Sequence, residues 1–135
     1  MAIFMNNGVV LTLDGVDLSD YVTSVTLNQS FDELEVTAMG DTGHRYVKGL
    51  ESGSITIDFL NDNGTNGVLK TLGDNWGDNV VVTVKNSADA VSAANPLYTM
   101  TVLINNLTPI NGAVGDLSTQ STTFNVSGAI VRTTA

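Results

Sequence analysis

The chain has no cysteine. Disulfides and thiolate metal sites are therefore excluded. It has one histidine, His44, so there is no His-x-x-x-His pair to found a zinc site. Cations are scarce: five Lys+Arg stand against fourteen Asp+Glu, a net charge of −9. Such a surface repels nucleic acid, because DNA affinity comes largely from cations that displace counterions at phosphates. The acid then either keeps the protein soluble or lines a surface past which a polyanion moves without sticking. No stretch approaches the ~20 apolar residues of a membrane span. The N-terminal MAIFMNNG has neither a basic n-region nor an apolar run of signal-peptide length, so synthesis and folding in a cytoplasm are expected. The Asn-x-Ser/Thr triplets at Asn28, Asn63, Asn106 and Asn125 then read as by-products of an Asn- and Thr-rich β protein.

What is present is strand after strand with turn chemistry between. The 135 residues suffice for one domain with one core. Asp14-Gly15 between apolar runs predicts a type I′ hairpin, whose two central residues need positive φ. Residues 21–31 alternate, with Val25 and Leu27 against Ser24, Thr26 and Asn28. Glu33 to Thr37 alternates again, acids on one face and Leu34 and Val36 on the other. Ser54 to Phe59 sets Ile55, Ile57 and Phe59 against Thr56 and Asp58, the signature of a half-buried strand. Further strands are expected at 79–85, 97–105 and about 119–131. The one helix expected covers about 65–73, capped by Thr65 or Asn66 and stopped by Gly73, with Trp76 anchoring it to a sheet. Between 38 and 53 the alternation stops. An aperiodic stretch of that length predicts a functional or disordered loop. The fold class expected is mainly β: an antiparallel sandwich or barrel with one short flanking α-helix.

Asp41-Thr-Gly43 matches the active turn of aspartic proteases. In that class a strand of large apolar residues holds the aspartate, and two like carboxylates share a proton. Here Gly40 precedes Asp41, and His44 and Arg45 follow. No apolar-apolar-Gly segment braces the turn, since Val126-Ser-Gly128 and Pro109-Ile-Asn-Gly112 do not fit. His44 has no Gly-x-Ser-x-Gly partner motif. Asp62-Asn-Gly-Thr-Asn-Gly67 lacks the ligand spacing and closing Glu of an EF-hand. No Gly-Lys-Ser/Thr opens a helix as in a phosphate-binding loop. The reading is of a chain with no active site, no cofactor and no metal.

The stretch 38–53 instead carries His44, Arg45, Tyr46 and Lys48 on an otherwise acidic protein. An arm with cations and an aromatic fits docking on an identical neighbour, and head-to-tail contacts of that kind close rings or stack into fibres. The segment "DGVDLSDYVTSVTLNQSFDELEVTAMGDTGHRYVKGLESGSITIDFLND", residues 14–62, resembles the tail tube (major tail) proteins of long-tailed bacteriophages. The resemblance implies a β-sandwich or barrel whose subunits form rings of six. The rings stack into a hollow tail tube, a conduit for genome ejection. It implies that the loop reaches a neighbouring subunit, with Met39, Asp41, His44, Arg45, Tyr46, Lys48 and Glu51 as the contact residues. Thr56 and Asp58 are the lumen-facing candidates. The implied partners are further copies of the chain and the terminator, tape-measure and baseplate or tip proteins of the tail. DNA would pass through without sequence-specific binding, and no membrane is involved. The expected location is the virion tail, assembled in the host cytoplasm. The alternatives are a capsid decoration or tail-terminator protein, or a β-sandwich binding module for carbohydrate or protein. The last normally shows an aromatic platform, whereas Trp76 and Tyr98 read here as buried.

Overall fold

The computed structural model describes residues 8–134; the N-terminal residues read above lie otherwise outside the described ones. The strands are β1 (Val10–Leu13), β2 (Val16–Asp17), β3 (Val22–Glu35), β4 (Tyr46–Leu60), β5 (Asn79–Lys85), β6 (Leu97–Leu103), β7 (Thr119–Asn125) and β8 (Val131–Thr133). The one helix among the described residues is α1 (Val68–Asp74), between β4 and β5. All named pairings are antiparallel. The strands form a five-stranded sheet, β2-β1-β5-β6-β8, and a three-stranded sheet, β3-β4-β7. The two sheets pack on each other as an open sandwich, not a closed barrel.

The core follows the alternation in the sequence. Ile55, Ile57 and Phe59 of β4 and Phe124 of β7 are fully buried. They join Leu11 and Leu13 of β1, Val80, Val82 and Val84 of β5, and Met100 and Val102 of β6. Burying one such side chain stabilises the fold by roughly 1.5–3 kcal/mol. The β1–β2 hairpin turns through Asp14 (φ 53°) and Gly15 (φ 78°), the two positive φ values that a type I′ turn needs.

Four smaller expectations need correction. The helix spans 68–74, and Gly67, not Thr65 or Asn66, stands at its N-cap with no side-chain cap. The backbone passes too close for any larger residue there: a Cβ on Gly67 would lie 2.5 Å from the Asp62 carbonyl oxygen. Trp76 is not an anchor, because it lies beyond the helix and is 56% exposed. Tyr98 is only half-buried. The strand expected at 119–131 is two strands, since the chain leaves the smaller sheet after Asn125 and joins the larger one at Val131, turning through Gly128 (φ 90°).

The largest correction concerns 38–53. Residues 46–53 are strand, and the stretches expected separately at 21–31 and 33–37 contribute to one strand, β3, that runs unbroken from Val22 to Glu35. The loop proper is 36–45. A β-bulge hid the strand. Phe31 pairs with Glu51 and Glu33 with Lys48, so Asp32 alone opposes Gly49 and Leu50. The extra residue reverses the alternation along β4, and a period-2 pattern read across it cancels.

Candidate functional site: the β3–β4 arm

The β7 strand ends opposite Ser54, whereas β3 and β4 run on together to the pair Glu35–Tyr46. Residues 29–53 thus form a two-stranded arm extending roughly 25 Å past the three-stranded part of the sheet. Residues directly opposite in an antiparallel pair share a face. One arm face carries Phe31, Glu33, Glu35, Tyr46, Lys48 and Glu51, continuous with the face that is buried in the body. The other carries Leu34 opposite Val47, with Leu50 in the bulge. Glu33, Glu35 and Glu51 thus share one face with Lys48, and Leu34 lies on the other, as the alternation from Glu33 to Thr37 implied.

The apex is held by its own polar groups. Ala38 to Asp41 is a turn in which Asp41 N–H donates to Ala38 O (3.1 Å) and Gly40 takes φ 95°. The Asp41 carboxylate accepts from Ala38 N–H (2.7 Å) and meets Arg45 Nε at 3.2 Å. Arg45 N–H donates to Thr37 Oγ1 (3.0 Å), and the Thr37 hydroxyl donates to Glu35 (3.1 Å). His44 Nδ1 is paired with the same Glu35 carboxylate. These contacts make Asp41 a turn-forming carboxylate engaged by a backbone amide and a guanidinium.

The other contact residues divide in two. Met39 stands fully exposed at the turn. Tyr46 is exposed beside His44, with ring centroids 6.4 Å apart. Lys48 Nζ lies 5.4 Å from the centre of the Phe31 ring, an exposed cation–π contact, and stands opposite Glu33. Glu51 does not point outward alone. It accepts from Ile130 N–H (3.3 Å), and a Cβ on neighbouring Gly53 would meet Ile130 Cδ1 at 2.7 Å. The 126–130 segment thus seats on the arm's base through Glu51 and Gly53.

Two inferences drawn from the sequence change here. The arm's cations do not present a positive face: Asp32, Glu33, Glu35, Asp41 and Glu51 share the arm with Arg45 and Lys48. Steering by opposite charge therefore loses its basis. What the arm does expose is apolar: Phe31, Leu34, Val36, Val47 and Leu50 are all exposed, Leu50 by 82%. The alternation had marked Leu34 and Val36. Val47 and Leu50 went unnoticed because the bulge scrambles their period.

Thr56 and Asp58 lie away from the arm, on the outer face of the three-stranded sheet. The register places them in cross-strand rows: Ser24–Asp58–Ser121, Thr26–Thr56–Thr123 and Asn28–Ser54–Asn125. The Thr56 and Thr123 hydroxyls are 3.0 Å apart. Hydroxyls and amides make up these rows, and Asp58 is their one charge. Among the described residues no three His, Cys, Asp or Glu side chains converge on a metal position, and no helix is long and apolar enough to cross a membrane. No protein-family model matches the chain, and no curated protein matches it.

Proposed function

We propose that the chain is a self-assembling structural protein of a phage tail tube. The observation that carries this reading is the arm. A two-stranded ribbon is marginal in water on its own. This one nevertheless extends with Leu34, Val47 and Leu50 on a face that nothing among the described residues covers. An exposed apolar face on a hydrogen-bonded ribbon fits burial against a second copy. Repetition of such a contact by rotation builds a ring, and by rotation with translation a tube. Stacked, hexameric rings are the form that the resemblance implies.

The outer face of the three-stranded sheet suits the wall of a DNA conduit. It offers hydroxyls, amides and the Asp58 carboxylate, and no cation stands in its rows to hold a phosphate. The terminator, tape-measure and baseplate or tip proteins would meet the ends and interior of such a tube. The assembly would form in the host cytoplasm and end in the virion. A capsid decoration or tail-terminator role shares the self-association and differs in its end product. The binding-module reading gains one observation, the 56% exposure of Trp76, though among the described residues no second aromatic ring pairs with it.

Electron microscopy and sedimentation of the concentrated protein test the proposal. Rings or tubes are expected from the parent chain. The variant Leu34→Ser/Leu50→Ser should stay folded and monomeric. A parent that remains monomeric under all conditions would sink the reading, and a variant that still polymerises would remove the arm from it.

A further inference from the structure

The three-stranded sheet has two edges, and they are finished differently. Asn61 N–H donates to Ser118 O (3.0 Å) and Val126 N–H to Gly53 O (2.9 Å), which fixes the phase of bonding at both ends of β7. Even-numbered residues of β7 therefore point their backbone groups at β4, and Thr119, Ser121, Thr123 and Asn125 point theirs at the open edge. Two of those outward carbonyls are taken. Asn111 Nδ2 donates to Thr119 O (3.0 Å) and Asn106 Nδ2 to Thr123 O (2.9 Å). Both amides come from the segment 105–118, which joins β6 to β7.

The other edge is β3. By the same phase, Val25, Leu27 and Gln29 point their backbone groups outward, and no hydrogen-bond partner among the described residues meets them. A bare edge is a template for strand addition, whereas a covered one is protected from it. Side-chain amides that occupy the outward carbonyls are such a cover.

We propose that the segment 105–118 is a strap that closes the β7 edge of the free subunit, and that its release lets the β3 edge of a second copy dock there. The partner follows from direction. β3 and β7 are both antiparallel to β4, so they run the same way. Rotation about an axis along the strands brings β3 of one copy beside β7 of the next, as a parallel junction.

The strap is held near its ends and lightly between them. Leu107 packs against the core and Ser118 bonds Asn61, whereas Ile110 and Val114 are almost wholly exposed and contribute no burial that would pin the middle of the segment. Its anchor is incompletely paired. Thr108 N–H donates to Gln120 Oε1 (3.1 Å) and Asn61 Nδ2 to Thr108 O (3.3 Å), yet Gln120 Nε2 and Asn61 Oδ1 are buried without partners. A buried polar atom left unpaired costs stability, and that cost lowers the barrier to releasing the segment. The strap keeps subunits apart until an existing end competes for the edge.

This inference rests on the self-assembly reading, and its test separates the two. The variant Asn106→Ala/Asn111→Ala would be compared with the parent for binding of a labelled peptide with the sequence of residues 22–35, and for polymer formation by electron microscopy. Loss of two modest hydrogen bonds should tighten peptide binding by about tenfold. It should also lower the concentration at which polymer appears. Unchanged or weaker peptide binding by a folded variant overturns the strap, even where both proteins form tubes. Tighter peptide binding with no polymer from either protein upholds the strap and overturns the tube. Should circular dichroism show the double variant unfolded, Asn111→Ala alone is measured in the same way, with the same outcomes decisive.

Discussion

The body and the arm are built from the same two strands and held by different means. Between Val25 and Leu27 of β3, and between Ile55 and Phe59 of β4, alternate side chains reach a shared core. From Asn28 outward the same strands keep their ladder and lose the core, and β3 is exposed at every residue. There, order comes from backbone pairing, the bulge and the polar network at the apex. The contrast teaches that hydrogen-bonded register can carry a strand well beyond its hydrophobic support. It also shows where the free chain has unfinished surface.

The largest expected effect tests the core side of this contrast. Phe59→Ala should cost about 3–5 kcal/mol by chemical denaturation, as a buried aromatic leaves a cavity. Phe31→Ala, on the arm, should change the same measurement by no more than about 0.5 kcal/mol. Comparable losses at the two sites would mean that the arm belongs to the body's cooperative unit.

Glycine substitutions sharpen the comparison at lower cost. Gly67→Ala drives a Cβ against the Asp62 backbone beside α1 and should destabilise the whole domain by about 1–3 kcal/mol. Gly49→Ala would place its Cβ 2.8 Å from Asp32 Cβ and 2.9 Å from Asp32 O, across the bulge. Its expected signature is local: faster amide exchange along 28–35 and 46–53, with the melting temperature nearly unchanged.

Asp41→Asn removes the ion pair with Arg45 at the apex. Exposed pairs contribute roughly 0.2–1 kcal/mol, so exchange should quicken at Ala38 and Arg45 with no change in global stability. A drop in melting temperature of many degrees would assign Asp41 a role beyond the turn.

The smallest effect is a pH dependence in the body. Asp17 accepts hydrogen bonds from the Ser19 side chain and backbone N–H, which hold its carboxyl below the ordinary value of 3.8. Its contribution is therefore fully present above pH 3.8 and is lost as pH falls through the lower folded-state value. Asp17→Asn should remove that small contribution at neutral pH and so flatten the acid limb of the stability profile slightly, the two proteins converging at the acid end.

Much of this was legible in the sequence, and the reasons are particular. Ile55, Ile57 and Phe59 announced a buried strand because a period of two has one physical meaning when one face is covered. Asp14-Gly15 announced its turn because two positive φ values demand such residues. Trp76 misled, since hydrophobicity beside a helix does not say which way the chain turns afterwards. The arm was misread as a loop because neither of its faces is buried, so selection for alternation is weak there, and one inserted residue at Gly49-Leu50 reversed what remained.

The sequence by itself determined the class of fold, the core and the absence of thiol chemistry, because composition and local periodicity act within a few residues. Tertiary structure decided the rest. It paired Asp41 with Arg45 and Glu35 with His44, so these side chains became internal ties of the arm's apex. It laid Asn106 and Asn111 along one sheet edge and left the other without a partner among the described residues. Those contacts join residues whose partners are set by register and by the path of a connecting segment, and no local pattern encodes either.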